Sequence, residues 1–334
     1  MPIRIFFGYR HKENAWGGAN SFLRTLYNAI QKNKKFQLTH DLNEPCDLIF
    51  LNQLNRGPGG DKKKWSIKSI AKKIRSIAKN GKKKPCLIVR AVNLRRNVDI
   101  DGGILTRIIG YYNDLKVIKL LNMADLAIFQ SNYTKKVFIN AGYQGKSSVV
   151  IYNSADPVYC EKSTPNTSST EKLRLIAVSF STRNIKKHYL MAKISLIRNT
   201  EVTYIGNWPK DTNSHNVKLM GVLNKSEIKK LMVKNHYLLH PAIRDACPNS
   251  IVEGLSAGLP VIYNSQEGSS AELVGNAGFA INEANIESTV IHARLKLRDY
   301  KLAVLRQRKK FLTESIANQY LENFIKVYQM QQKK

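Results

Sequence analysis

Acidic residues are scarce in this chain: 24 Asp and Glu stand against 54 Lys and Arg in 334 residues, a formal charge of +30. That imbalance creates a positive field that draws in polyanions, with nucleic acid, an anionic bilayer and phosphorylated small molecules as candidates and a Lys-rich compositional habit as the plain alternative. Cysteine is scarcer still. Cys46, Cys86, Cys160 and Cys247 stand far apart, with no CxxC and no His at zinc-finger spacing, which excludes a disulfide scaffold or zinc module and predicts free thiols in a reducing compartment. No apolar run nears the ~18–20 residues a bilayer span needs, and the greasy run in MPIRIFFGYRHK is too short for a signal peptide, so a cytoplasmic protein is expected. Short-period repeats, low-complexity tracts and nucleic-acid recognition motifs are all missing, and nucleic acid is therefore not the expected partner.

What is present is ordinary for a globular chain, with 43% hydrophobic and 23% charged residues in a length that suits two domains. IRIFF reads as a strand, followed by a loop ending in Gly17-Gly18 and the helical pattern NSFLRTLYNAI. CDLIFL, CLIVRAV, ADLAIFQS and SSVVIYN continue as strands, with helices over residues 64–79 and 132–141 between them. DPVYCEKSTPNTSSTEK then reads as a linker, poor in apolar residues and rich in hydroxyls. Beyond it RLIAVSF, TEVTYIG, HYLLHP and PVIYN alternate with helices near 186–198, 226–234 and 250–257, and a strandless helical stretch runs from 286 to 330. Alternating strands and helices predict parallel sheets, hence an α/β protein of two doubly wound domains with a ligand cleft between them. The expected division is 1–155, a linker 156–171, 172–312, and a C-terminal helix 313–334.

The segment HPAIRDACPNSIVEGLSAGLPVIYNSQEGSSAELVG carries the chemistry. A strand ends at His240-Pro241, Asp245 lies in the following loop, a helix starts near Pro248–Ser250, and Glu253 sits on its first turn, eight positions after Asp245. Two carboxylates beside the amides of a helix N-terminus suit a nucleotide sugar: the acids accept from hydroxyls and the amides hold phosphate.

RDACPNSIVEGLSAGLPVI resembles, position by position, the E-x7-E region of family 4 glycosyltransferases, retaining enzymes of the GT-B fold. The resemblance implies two Rossmann-like domains facing across a cleft, with the C-terminal helix crossing back to the first. It carries to Asp245 contact with the transferred sugar, although Asp replaces the usual Glu, and to Glu253 contact with the ribose. Ala246, Asn249 and Ser250 would present amides to the donor, Pro248 having none to offer, and Glu272 would order the loop beside the nucleotide. Gly17 and Gly18 resemble the family's N-terminal glycine loop, VIYNSADPVY resembles the end of its first domain with Ser154 in place of a Gly, and AVSFSTRNIKKHYLMA resembles the strand and loop supplying diphosphate cations. Lys187 best matches the Lys and Arg183 is a shifted Arg, with Lys186 between solvated and functional. Where the family often has an acceptor-side His, CLIVRAVNLRRN offers Arg90 and Asn93. His11 and His240 are expected to be structural. Asp99-Ile100-Asp101 spells an acidic metal-binding triplet, but the resemblance implies metal-independent transfer with no cofactor beyond the nucleoside-diphosphate sugar.

The expected activity is hexosyl transfer to a glycan or lipid-linked hydroxyl in surface polysaccharide or oligosaccharide synthesis. A nucleotide-sugar epimerase and a non-catalytic polyanion-binding protein of the same fold are the alternatives. Between Lys62 and Lys84 there are eleven Lys and Arg and no acid. Ile67, Ile70, Ile74 and Ile77 share one face, read as docked on the sheet, while Lys68, Lys72, Arg75 and Lys79 are left to meet solvent or the inner face of an anionic membrane.

Overall fold

The computed structural model describes residues 1–13, 18–55, 57, 66–79, 84–99, 101–161 and 172–333. Gly17, Ile100, the start of the basic helix and most of the expected linker lie outside them, as do the side chains of Ile77 and Lys79.

The chain divides into two compact units: residues 1–152 with 313–334, and residues 153–312. In the first, six strands, β1 (Ile3–Phe7), β2 (Phe36–Thr39), β3 (Leu48–Asn52), β4 (Cys86–Ala91), β5 (Leu126–Phe129) and β6 (Ser148–Val150), pair in parallel in the order β2-β1-β3-β4-β5-β6. β3 and β4 are buried along their whole length, which is why LIFLN and CLIVRA are nearly unbroken apolar runs. Because strand side chains alternate, Ile5, Phe7, Leu48 and Phe50 face helices Gly18–Gln31 and Thr313–Gln332. Phe6, Ile49 and Leu51 face the opposite layer, where Ile70 and Ile74 of helix Ile67–Lys79 and Phe138 of helix Asn132–Asn140 complete the core. Phe324 of the C-terminal helix is fully buried, its ring 5.4 Å from that of Phe50. Ser131 caps helix Asn132–Asn140 by accepting from the Thr134 amide.

In the second unit, β7 (Leu173–Ser179), β8 (Thr200–Gly206), β9 (Lys218–Leu219), β10 (Tyr237–His240), β11 (Val261–Tyr263) and β12 (Gly278–Ala280) form a parallel sheet ordered β12-β11-β10-β7-β8-β9. The first strand lies beside the fourth, so the winding reverses between β7 and β10. In open α/β sheets that switch point opens a crevice at the strands' carboxyl ends. Gly206, at φ +119°, ends β8 against β7; a Cβ there would stand 1.9 Å from the Ser179 carbonyl oxygen, so only glycine fits.

The segment expected to be linker begins with a packed turn. Asp156 caps helix Pro157–Cys160, and Tyr159 is buried behind it. The helical C-terminal stretch resolves into helices Ile286–Leu295 and Leu297–Gln307, a 3-10 turn, and helix Thr313–Gln332.

Candidate active site

Four loops of the second unit meet at the carboxyl ends of β7, β10, β11 and β12. After β7 the chain passes through a one-turn 3-10 helix, Asn184–Lys186, to Lys187, whose left-handed backbone (φ 48°, ψ 49°) starts helix His188–Ser195. After β10 it reaches Arg244, also left-handed at φ 56°, and then Asp245. The Ile243 amide donates to the Ile185 carbonyl at 2.9 Å, joining the first loop to the second. Ser269 donates to the Asp245 carbonyl oxygen from its amide (3.1 Å) and its hydroxyl (3.0 Å), and Arg244 binds Glu267 through both backbone and side chain. Gly268 permits this approach, since a Cβ there would lie 3.3 Å from the Arg244 nitrogen.

Asp245 is thus fixed at the switch point. Its Oδ2 accepts from Lys186 Nζ at 2.7 Å. Burial alone would raise its pKa, but the Lys186 charge, the nearby His240 ring and hydrogen bonds from Lys186 and the Cys247 amide outweigh it, holding the carboxyl below its ordinary range. His240, at the end of β10, is buried and its pKa falls to about 4, through burial first and the Lys186 charge second. The ring is therefore neutral at pH 7. Its Nδ1 is 3.1 Å from the Ser250 hydroxyl, and its Nε2 is buried without a partner among the described residues.

Glu253 is the fifth residue of helix Asn249–Ser256, a turn later than its spacing suggested, because Pro248 occupies the N-cap. The missing proline N–H costs nothing at a helix end. Among the described residues the Glu253 carboxyl has no hydrogen-bond partner. Burial pushes its pKa up to about 8; Lys225 pulls against the shift and Asp156 adds to it. No side chain caps this helix. The Asn249 side chain accepts from Asn153 Nδ2 at 2.8 Å, which in turn donates to the Cys247 carbonyl.

Lys187 does not share the Asp245 pair. Its Nζ lies 2.9 Å from Glu283 Oε1, just beyond β12, and 3.0 Å from Gln266 Oε1, beyond β11. The same Glu283 oxygen accepts from Asn264 (2.7 Å) and Gln266 (3.0 Å), and its other oxygen from the Tyr189 hydroxyl. Despite some burial, these donors and the Lys187 charge hold the Glu283 carboxyl below its ordinary range.

These loops cap the region where comparison with known proteins is informative. Residues 172–299, fewer than half of the chain, match the family described as Glycosyl transferases group 1. The match lies wholly within the second unit.

The likeness in fold extends over the whole chain. Sucrose-phosphate synthase from Thermosynechococcus elongatus is similar at a TM-score of 0.64 and 11% identity, over 98% of this chain and 99% of that one. HepE of Anabaena in complex with UDP is similar at 0.64 and 15%, over 98% and 100%. WaaG, a glycosyltransferase involved in lipopolysaccharide biosynthesis, is similar at 0.63 and 16%, over 96% and 99%. No curated protein sequence matches the chain. The fold is GT-B, as its motifs led one to expect.

Within the second unit the structure brings Lys186, Asp245 and His240 together, and Lys187 with Glu283 beside them. Arg183 is exposed at the start of the β7 loop, and Glu272 is on the first turn of helix Ser270–Val274. Sequence reasoning missed Glu283, Gln266 and Asn264. The available signal was an acid or amide just past each strand end, but β12 (GFA) is too short and plain to be read as a strand.

In the first unit Gly18 opens helix Gly18–Gln31. Arg90 is 1% exposed, its guanidinium 2.6 Å from Asn52 Oδ1 and 4.5 Å from the centre of the Phe22 ring. It points into the core of its unit. Asn93 orders its own loop through the Leu94 amide, Asn97 and Gln53. His11 is beside the Tyr27 ring. Asp99 is engaged by Arg95 at 3.2 Å, and among the described residues no three His, Cys, Asp or Glu side chains stand together as a metal would need.

Proposed function

We propose that the protein is a retaining glycosyltransferase that moves a hexose from a nucleoside-diphosphate sugar to a hydroxyl of a glycan or lipid-linked acceptor. The observation that carries this reading is the pair of unlike carboxyls at the switch point, Asp245 ionised against Lys186 and Glu253 without a hydrogen bond. Glu253, protonated below about pH 8, can accept from one ribose hydroxyl and donate to the other. Asp245, flanked by a neutral His240, suits the hydroxyls of the transferred sugar. Lys187, steadied by Glu283, and the uncapped start of helix Asn249–Ser256 would hold the diphosphate, with Lys186 and Arg183 supplying further positive charge.

In the step itself the acceptor oxygen bonds to the anomeric carbon as the bond from that carbon to the β-phosphate oxygen breaks. The acceptor proton passes to the departing diphosphate, whose growing charge the lysines stabilise. The reaction as read needs no cofactor. HepE, the similar structure from Anabaena, was solved in complex with UDP and with UDP-glucose, which makes uridine the first base to try.

The test is a thermal-shift panel of UDP, GDP, CDP, ADP and dTDP on the wild type and on Glu253→Ala. A ligand bound only by the native state raises the melting temperature predictably. Stabilisation by one nucleotide that disappears in the variant supports the donor site. A folded wild type that none of the five shifts removes that support and favours the polyanion-binding reading of the +30 charge. Turnover of a nucleotide sugar to its epimer without any acceptor would point to the epimerase instead.

A further inference from the structure

Helix Ile104–Asn122 is two structures in one. Its C-terminal half buries Val117, Leu120 and Leu121 in the first unit's core. Its N-terminal half, equally apolar, buries almost nothing: Ile104 is 78% exposed, Leu105 70%, Ile109 57% and Tyr112 61%, with Ile108, Tyr111 and Leu115 all above 40%. Only Gly110 and Asp114 are buried between residues 104 and 115.

We propose that this protruding half-helix is a membrane-docking wedge that enters the interfacial layer of an anionic bilayer. Residues 104–109 are exposed on every side of the helix, not along one stripe. A folded partner covers a stripe or a groove, whereas a fluid apolar medium surrounds a projecting end from all sides. Tyr111 and Tyr112 follow the aliphatic tip, where rings with a polar end fit the headgroup level. Cations ring the wedge. Arg107, Lys116 and Lys119 lie on the helix itself, Arg95 is exposed, and the Arg96 guanidinium sits 5.6 Å from the centre of the Tyr111 ring. The helix's one acid, Asp114, is turned inward to accept from the Arg95 and Arg96 amides at 2.7 and 3.1 Å. Of the acids just ahead of the helix, Asp99 is paired with Arg95 and Asp101 is exposed. The exposed cations therefore outnumber the acids, as an anionic surface requires. Twelve residues at 1.5 Å rise reach about 18 Å, enough to lie in the interface and too short to cross it. Among the described residues no helix is long and apolar enough to span a membrane.

This assigns the docking to helix Ile104–Asn122 and not to helix Ile67–Lys79. That helix has its basic residues Lys68, Lys72 and Arg75 exposed, but Ile70 and Ile74 are committed to the core and cannot insert.

The full chain is tested by co-sedimentation at low salt with vesicles of phosphatidylglycerol and phosphatidylethanolamine, and with vesicles of phosphatidylcholine alone. The wild type is expected on the anionic vesicles. Ile108→Ser with Ile109→Ser, both exposed, should lower partitioning about tenfold or more with an unchanged melting temperature. Arg107→Glu with Lys116→Glu should abolish the preference for anionic lipid. Tyr112→Trp should gain fluorescence that brominated lipid quenches beyond the wild-type background. UDP-type thermal shifts, read on the same variants, should match the wild type, which keeps this test separate from that of the donor site. Three outcomes overturn the proposal: no sedimentation with anionic vesicles; binding lost in Lys68→Glu/Lys72→Glu but kept in Ile108→Ser/Ile109→Ser; or a concentration-dependent dimer that the serine variant abolishes in a chain that ignores lipid.

Discussion

The Lys186 ammonium lies 2.7 Å from the carboxylate of Asp245, 59 residues further along the chain. One loop follows β7 and the other β10, and the switch in winding makes those strands neighbours. The pair ties the cationic loop to the acid that follows β10 and keeps that acid ionised.

Lys186→Met removes the charge that opposes the burial of Asp245. Its pKa should rise, and the acid limb of the transfer-rate profile should move up by about one pH unit or more. In the wild type the carboxyl is depressed below 3.8, so its contribution to stability is present above that pH and is lost as pH falls through the folded value. An unchanged acid limb in the Met variant would show that Asp245 does not govern it.

Glu253 titrates the other way. Its folded pKa near 8 lies above the ordinary 4.5, so between those values the native state holds a proton that the unfolded state has released. Its contribution to stability is complete below about 4.5 and declines as pH rises to about 8. Glu253→Gln should flatten this part of the stability profile, measured by urea unfolding from pH 5 to 9. Parallel profiles for the two proteins would mean that the carboxyl is already ionised.

Glu283→Ala should free Lys187 from its anchor. The donor KM is expected to rise about tenfold, because the ammonium must be ordered anew at each encounter. Glu283→Gln keeps an oxygen acceptor for Lys187 and should recover part of the loss. Steady-state kinetics with the nucleotide sugar chosen by thermal shift decides the matter, and equal KM values in all three proteins would remove Glu283 from the site.

Phe324→Ala should cost about 3–5 kcal/mol in the first unit, the usual range for emptying a buried aromatic site. The ring is fully buried against Phe50 and Tyr320. Chemical denaturation followed by near-ultraviolet dichroism should show the loss. A change below about 1 kcal/mol would mean that the C-terminal helix is only loosely docked.

Most strands legible in the chain lie inside their sheets, as IRIFF, CDLIFL, CLIVRAV and HYLLHP do, and one edge strand, SSVVIYN, is legible through its β-branched run. The three that escaped notice, FQLT, KL and GFA, are short edge strands. An edge position needs no long apolar run. Helix Ile104–Asn122 was also passed over, because its apolar residues surround the axis and leave no single stripe for periodicity to find.

By itself the sequence determined the α/β class, two doubly wound units and the placing of Asp245 and Glu253 in the loop and helix after one strand, because each rests on local periodicity or on spacing within one loop and helix. Tertiary structure decided which lysine meets which carboxylate. Lys186 and Lys187 are adjacent and chemically alike, and only the left-handed backbone at Lys187, with the order in which β7, β10, β11 and β12 assemble, sends one to Asp245 and the other to Glu283. It also decided that Arg90 points inward and that half of an apolar helix stays uncovered. Such outcomes depend on residues brought together from distant parts of the chain.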